Sequence, residues 1–250
     1  MRPEKLQSKK FLFVMLLLIL SAGGAAAQTG GSSTREARDT IRRGNAHYTK
    51  AEYEAAIAEY RRVSPGAGER YAQSLYNIGV CYYELWRTED AAQLYRQAIA
   101  ARQGRYPAAL YALGVALEDL KRLPEAKEAY QQSITASRGK HAAAHCRLGL
   151  LMAYARDYEV ASLLFRKAIT LSHDQLPSCH NNLGVVLALS GRLQEAEREF
   201  ATALSQTHGA LSEAAENLKL CRAQLSATAT DGLTSLRLSE TTPHSAAGDR

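Results

Sequence analysis

Five glycines recur at a fixed interval of 35 residues, and this spacing constrains the fold more than any other feature of the chain. They are Gly44, Gly79, Gly114, Gly149 and Gly184. Twelve residues after each glycine stands an alanine, and four residues further on stands an aromatic ring. These residues are Ala56, Ala91, Ala126, Ala161 and Ala196, then Tyr60, Tyr95, Tyr130, Phe165 and Phe200. Agreement across five registers indicates an internal repeat.

Each unit is predicted to contain two helices. Apolar residues recur three and four positions apart on both sides of a short polar turn, and no two-residue alternation suggests a strand within the repeats. Small residues allow two antiparallel helices to approach closely, so we expect the glycine of the first helix to face the alanine of the second, with the ring filling the space beside them. One such pair cannot bury its apolar faces alone, so the units must stack.

The pattern resembles the tetratricopeptide repeat, whose unit reads W-x2-L-G-x2-Y, then A-x3-F, then P, over about 34 residues. The unit here is one residue longer, and the tryptophan is replaced throughout. Its replacements are Thr40, Leu75, Leu110, His145 and His180. The resemblance implies an all-α fold: a right-handed α-solenoid of five helix-turn-helix repeats over residues 35–209, followed by a C-terminal capping helix.

The N-terminus carries a separate signal. Residues 1–10 are basic, residues 11–20 (FLFVMLLLIL) are apolar, and three alanines close the segment at residues 25–27. This order is typical of a secretory signal peptide over residues 1–27 and predicts an exported protein, periplasmic or secreted. The alternative is an uncleaved segment that tethers the chain to a membrane, although a span needs roughly 20 apolar residues. Residues 28–34 are interpreted as a flexible linker.

Beyond the repeats, the sequence predicts a cap and a tail. Residues 210–226 continue the pattern of a first helix, but Lys219 stands where the glycine is expected, so no further helix can dock as before. A solenoid needs such a polar cap at its end. Residues 227–250 show no periodicity and are predicted to be disordered.

Charge and motifs argue against several functions. The formal net charge is +6, half of it belongs to residues 1–27, and the rest of the chain has no dense Lys/Arg block. Nucleic-acid binding is therefore not expected. The sequence contains no phosphate loop, no G-x-S-x-G and no H-E-x-x-H motif. We expect no enzymatic activity, no cofactor, and no membrane contact beyond the N-terminal segment.

The cysteines leave alternatives open. They are Cys81, Cys146, Cys179 and Cys221. Buried free thiols are the favoured interpretation, but Cys146 and Cys179 fall on the first helices of adjacent repeats, and a disulfide there would need Cα atoms within about 7 Å. Together with His145 and His180 they could form a metal site. Both histidines occupy the slot where the family buries an apolar ring, so packing is favoured and no metal is expected.

A second face of each first helix is predicted to bind a partner. In tetratricopeptide proteins this face lines the concave groove of the superhelix, so the resemblance implies a surface for an extended peptide or a partner helix. Aromatic side chains suit such interfaces, and an asparagine amide can donate to and accept from a peptide backbone at once. The asparagines are similar to the ladder of superhelical tetratricopeptide glycosyltransferases, and Asn217 continues them into the cap. The candidate residues are Asn45, Tyr48, Tyr76, Asn77, Val80, Tyr83, Tyr111, Val115, Leu150, Asn181, Asn182 and Val185.

These observations favour a non-enzymatic adaptor or scaffold of the cell envelope that holds a protein or peptide partner in its groove. Two alternatives remain at the level of sequence. One is a structural scaffold that self-associates, and the other is a metal-binding or redox-sensing module built on the His/Cys cluster.

Overall fold

The computed structural model describes residues 34–226 and 235–239, and the regular elements within them are helices. Helix α1 covers residues 34–48. A short 3-10 turn at Pro65–Ala67 lies between the second and third helices of the chain. The following helices are α2 (Tyr53–Tyr60), α3 (Glu69–Glu84), α4 (Thr88–Ala101), α5 (Pro107–Asp119), α6 (Leu123–Ala136), α7 (Ala142–Tyr154), α8 (Tyr158–Leu171), α9 (Pro177–Leu189), α10 (Leu193–Gln206) and α11 (Ser212–Ser226).

The helices pack as consecutive pairs, which confirms the predicted all-α repeat solenoid. The most extensive contacts lie between α3 and α4, α5 and α6, α7 and α8, and α9 and α10. The second helix of each of these pairs also contacts the first helix of the next. Helix α9 touches both α7 and α11 directly, so the first helices at this end of the solenoid adjoin one another. Helix α11 has no partner of its own within the described residues and covers α10 as a cap.

The glycine of each repeat lies against the aromatic ring of the second helix. A Cβ atom added to Gly149 would come within 2.9 Å of Phe165 Cε1, and one added to Gly79 within 2.7 Å of Tyr95 Cε1. The expected contact between glycine and alanine is seen in the second repeat, where a Cβ on Gly79 would also lie 3.4 Å from the Ala91 carbonyl oxygen, and the ring four residues after the alanine comes closer still. A flat ring fills the volume that a Cβ would occupy, so glycine is required at this position.

The turn between the two helices of each repeat uses a left-handed residue. Positive φ angles recur at the same 35-residue interval as the glycines. The residues are Ala51, Trp86, Lys121, Arg156 and Gly191. In four of the five turns an L-residue with a side chain adopts a conformation that favours glycine.

Part of each end of the chain lies outside the residues that the structure describes. The predicted signal peptide (1–27) and residues 28–33 of the predicted linker lie outside the described residues. Within the described residues, no helix is both long enough and apolar enough to span a bilayer. The tail was expected to be disordered over residues 227–250, and for residues 235–239 the structure differs, because this stretch packs against α9 and α11.

Candidate peptide-binding groove

Residues 235–239, here called the docked segment, lie in the groove formed by the first helices. Their backbone is held by the side chains of Asn182 on α9 and Asn217 on α11. These two asparagines stand 35 residues apart, at the same register of successive first helices. The groove therefore already contains a short stretch of polypeptide, supplied by the chain itself.

Each of the two asparagines pairs with one residue of the docked segment through both halves of its amide. Asn182 Nδ2 donates to the carbonyl of Ser239 at 2.8 Å, and its Oδ1 accepts from the Ser239 N–H at 2.6 Å. Asn217 repeats the arrangement on Arg237, with distances of 2.7 and 2.9 Å. This two-way pairing satisfies the N–H and the C=O of one residue, as a neighbouring strand in a sheet would.

A third amide joins the pair into one network. Asn181 Nδ2 donates to the Arg237 carbonyl at 3.1 Å and to the Ser239 hydroxyl at 2.9 Å. Its Oδ1 accepts from Asn217 Nδ2 at 2.9 Å. All three asparagines have no exposed surface. Buried amides need partners to offset their desolvation, and the backbone of the docked segment provides them. Asn181, Asn182 and Asn217 are called the amide clamp below.

Apolar contacts hold the side of the docked segment that faces the helices. Leu236 and Leu238 pack against the main hydrophobic core, whereas Arg237 between them is exposed. The Arg237 guanidinium lies 3.4 Å from Glu216 on the surface, a pair that contributes little. An open pocket of about 520 Å³ adjoins the segment, and Tyr154, Tyr158, Val185 and Leu189 are among its lining residues.

The predicted apolar stripe is for the most part buried. Val80, Val115, Leu150 and Val185 all belong to the main core. Of these, Val185 also lines the pocket beside the docked segment. Val80, Val115 and Leu150 therefore have a packing role, and their contact with a ligand stays a prediction.

The tyrosines at the last register of the first helices link neighbouring repeats. The Tyr48 hydroxyl donates to Glu84 at 3.3 Å, and the Tyr83 hydroxyl donates to Asp119, in each case 36 residues further along. Burial, followed by the negative charge of Glu84, raises the pKa of Tyr48. Burial and the hydrogen bond to Asp119 raise the pKa of Tyr83. Both hydroxyls thus act as donors within the solenoid, and their contact with a ligand stays a prediction.

The other two predicted tyrosines are engaged in aromatic packing. The Tyr76 ring lies 5.7 Å from that of Tyr95 and 5.4 Å from that of Tyr106. The Tyr111 ring lies 5.8 Å from the core ring of Tyr130 and stacks on His141 at 5.1 Å. At these centroid distances aromatic pairs stabilise the core, so these rings have a packing role whether or not they touch a ligand.

The predicted asparagines at the N-terminal end bond to groups of the solenoid itself. Asn77 Nδ2 donates to Asn45 Oδ1 at 3.3 Å, and the Tyr60 hydroxyl donates to the same oxygen at 2.7 Å. Asn45 is exposed and Asn77 half-buried. The two amides lie at the other end of the solenoid from the clamp, so the structure does not bring the predicted asparagines into a single site.

A buried ion pair interrupts the asparagine register in the middle of the groove. Arg147, at the register of Asn182, donates to Glu118 at 3.3 Å, and the side chains are 9% and 13% exposed. Glu118 also accepts from the hydroxyl of Tyr130. Burial and the Glu118 carboxylate raise the pKa of Tyr130, so its hydroxyl remains a donor. The sequence analysis did not identify this network.

The expectation of four buried free thiols is wrong for two of the four cysteines. Cys146 on α7 and Cys179 on α9 form a disulfide with Cα atoms 6.0 Å apart, while Cys81 and Cys221 are free and buried. The bridge removes two thiolates from any metal site. His145 bonds to the backbone carbonyl of His141, and within residues 34–226 and 235–239 no cluster of three ligands suits a metal ion.

The comparison with known families agrees with the geometry. A model of the tetratricopeptide repeat matches residues 41–106, 87–141 and 146–215, which together exceed half of the chain. The chain belongs to the tetratricopeptide repeat family. Tetratricopeptide repeat proteins generally mediate protein–protein interaction and are typically non-enzymatic adaptors. A comparison with curated proteins found no significant match in sequence.

Solved structures of similar fold are themselves repeat proteins. A crystal structure of MamA is 22% identical, with a TM-score of 0.56 over 66% of this chain and 94% of MamA. PilF from Pseudomonas aeruginosa is 19% identical, with a TM-score of 0.60 over 77% of this chain and 91% of PilF. YrrB, a TPR protein with an unusual peptide-binding site, is 18% identical, with a TM-score of 0.57 over 77% of this chain and 97% of YrrB. At these identities the likeness establishes the fold alone.

Sequence reasoning missed the docked segment, although a signal for it is present. Residues 235–239 read Ser-Leu-Arg-Leu-Ser, which alternates apolar and polar side chains. Such alternation is typical of an extended chain with one buried face. Five residues surrounded by polar sequence are too few to stand out without knowledge of the surface they cover.

Proposed function

We propose that this tetratricopeptide protein is an exported, non-enzymatic adaptor whose groove holds an extended peptide through the backbone. The observation that carries the proposal is the two-way pairing of Asn182 with Ser239, repeated by Asn217 on Arg237. Nothing in this pairing depends on a ligand side chain. A groove that grips peptide units can accept partners of differing sequence, which is the chemistry an adaptor needs.

The contribution of each clamp amide to peptide affinity can be estimated from its hydrogen bonds. The net contribution of a hydrogen bond is about 0.5–1.5 kcal/mol, and a buried group left without its partner costs about 1–3 kcal/mol. Removing one clamp amide takes away two bonds to the peptide. We therefore expect Asn182→Ala to weaken peptide binding by about 10- to 100-fold.

Export is proposed on two independent grounds. The first is the signal-peptide pattern of residues 1–27. The second is the Cys146–Cys179 disulfide, because such bonds persist in oxidising compartments and are rare in the cytosol. Mass spectrometry of the native protein should give an N-terminus near Gln28. A full-length species that requires detergent would instead support a membrane tether.

The groove is tested with a panel of unrelated ten-residue peptides and the mature chain, residues 28–250. Peptides that bind by isothermal titration calorimetry should lose affinity together in Asn182→Ala, because that variant removes contacts to the backbone. The matched control is Asn77→Ala, an amide at the same register that lies at the other end of the solenoid. Loss in Asn77→Ala with no loss in Asn182→Ala would place the site elsewhere.

A further inference from the structure

We propose that residues 235–239 are a tethered and displaceable occupant of the peptide site, which holds the groove closed against partners of the same kind. The inference rests on the proposed function, because it requires that the amide clamp bind peptides at all. It adds which peptides the clamp prefers and how the chain's own tail limits their access to the groove.

The contacts of the docked segment suit an occupant that can leave. The clamp makes six hydrogen bonds to it, five of them to the backbone. Its two leucines are only half-buried, and Arg237 is exposed. The segment is held, but it forms no part of the repeat core. Any chain that presents the same groups in the same order could take its place.

The length of the connection between α11 and the docked segment determines how strongly the segment competes with free peptides. Eight residues, 227–234, separate the end of α11 from the docked segment. A short tether gives an effective concentration on the order of 1 mM. For a free segment with a Kd on the order of 0.1 mM, the site would be occupied in about nine of ten molecules, and a competitor would bind about tenfold more weakly.

The side chains of the docked segment indicate which peptides could compete with it. Leu236 and Leu238 supply two apolar side chains separated by one exposed residue. Ser239 follows with its side chain buried and its hydroxyl bonded to Asn181 Nδ2 at 2.9 Å. Among the peptides that these backbone contacts admit, the strongest competitor should be an extended segment of the form Leu-X-Leu-Ser, in which the residue X is free to vary and the last residue is small and polar.

The occupant runs in a defined direction. Arg237 pairs with Asn217 on the cap, and Ser239 pairs with Asn182 on the preceding first helix. The segment therefore runs from the cap towards the earlier repeats, opposite to the order of the solenoid. A competing peptide should adopt the same polarity, because the Ser239 hydroxyl site lies at one end only.

The experiment compares the mature chain with a tail-released variant, Leu236→Asp/Leu238→Asp. The probe is a fluorescein-labelled peptide with the chain's own sequence at 233–240, Leu-Thr-Ser-Leu-Arg-Leu-Ser-Glu, and the readout is fluorescence anisotropy. The released chain should bind the probe about tenfold more tightly than the unaltered chain. The matched control, Leu163→Asp, makes the same kind of change at an exposed leucine of α8, away from the docked segment, and should bind as the unaltered chain does.

Each other outcome overturns the inference in a distinguishable way. Equal affinity in the released and unaltered chains would show that the groove binds peptides but is not closed by its own tail, and the proposed function would stand. Failure of the released chain to bind the probe at all, with its helical circular dichroism intact, would remove both proposals. A concentration-dependent dimer of the unaltered chain by light scattering, absent in the released variant, would show that the tail closes the groove of a second copy.

Discussion

The Phe165 ring lies so close to Gly149 that a Cβ on the glycine would come within 2.9 Å of ring atom Cε1 and 3.3 Å of Leu164 Cβ. Phe165 has no exposed surface, so the ring cannot move aside into solvent. The same relationship recurs in every repeat with a tyrosine or phenylalanine as the ring. It fixes the distance between the two helices of each pair.

Gly149→Leu should therefore destabilise the protein by about 1–3 kcal/mol or more, since added atoms in a packed core force side chains and backbone apart. Because repeats depend on their neighbours, the loss should spread beyond the fourth pair. Chemical denaturation followed by circular dichroism measures it. Lys167→Leu, which adds a leucine on the exposed face of α8, is the control and should leave the midpoint nearly unchanged. Equal midpoints for the two variants would contradict the packing described here.

The left-handed turns allow a stabilising substitution. Trp86 has a φ of 59° and is 92% exposed, so it carries the strain of its conformation with little packing in return. Trp86→Gly should stabilise the fold by about 0.5–1 kcal/mol, because glycine adopts this conformation freely. The reverse change at the same register, Gly191→Ala, should destabilise by a similar amount. A loss of stability in Trp86→Gly would show that the indole ring has contacts that its exposure conceals.

The disulfide predicts how many thiols react before and after reduction. Unfolded, non-reduced protein should show two free thiols, Cys81 and Cys221, and reduction should raise the number to four. In the folded protein at pH 8 the Cys81 thiol should resist alkylation, because burial raises its pKa to about 12. Cys146→Ser/Cys179→Ser should lower stability by about 2–4 kcal/mol, since the bridge closes a loop across 33 residues. Four reactive thiols without reduction would disprove the bridge.

The buried ion pair should be sensitive to loss of one partner. Arg147→Met removes the cationic partner of the largely buried Glu118 carboxylate, which should cost about 3–5 kcal/mol. Adding Glu118→Gln removes the isolated charge, so the double variant should recover much of the stability. Denaturation midpoints of the two variants provide the comparison. A double variant less stable than Arg147→Met alone would show that the carboxylate has another role.

The recurrence of glycine and ring made the solenoid predictable, because packing of two close helices allows few residue types at their contact. The roles of Asn182 and Asn217 were also accessible, since an amide on the concave face has a limited chemistry. The Cys146–Cys179 bridge was not, because repeat spacing places two helices without specifying the directions of their side chains. The docked segment was missed for a different reason: its stability comes from a surface distant in sequence, and its own five residues carry only a weak alternation.

The paired use of Asn182 and Asn217 has a consequence for any chain that enters this groove. Each amide requires a backbone N–H from the residue it holds, and the two held residues are separated by one. Proline has no N–H, so it is excluded at both held positions, whereas between them the amides make no demand on the backbone. Candidate partners can therefore be screened by where their prolines fall, before any binding is measured.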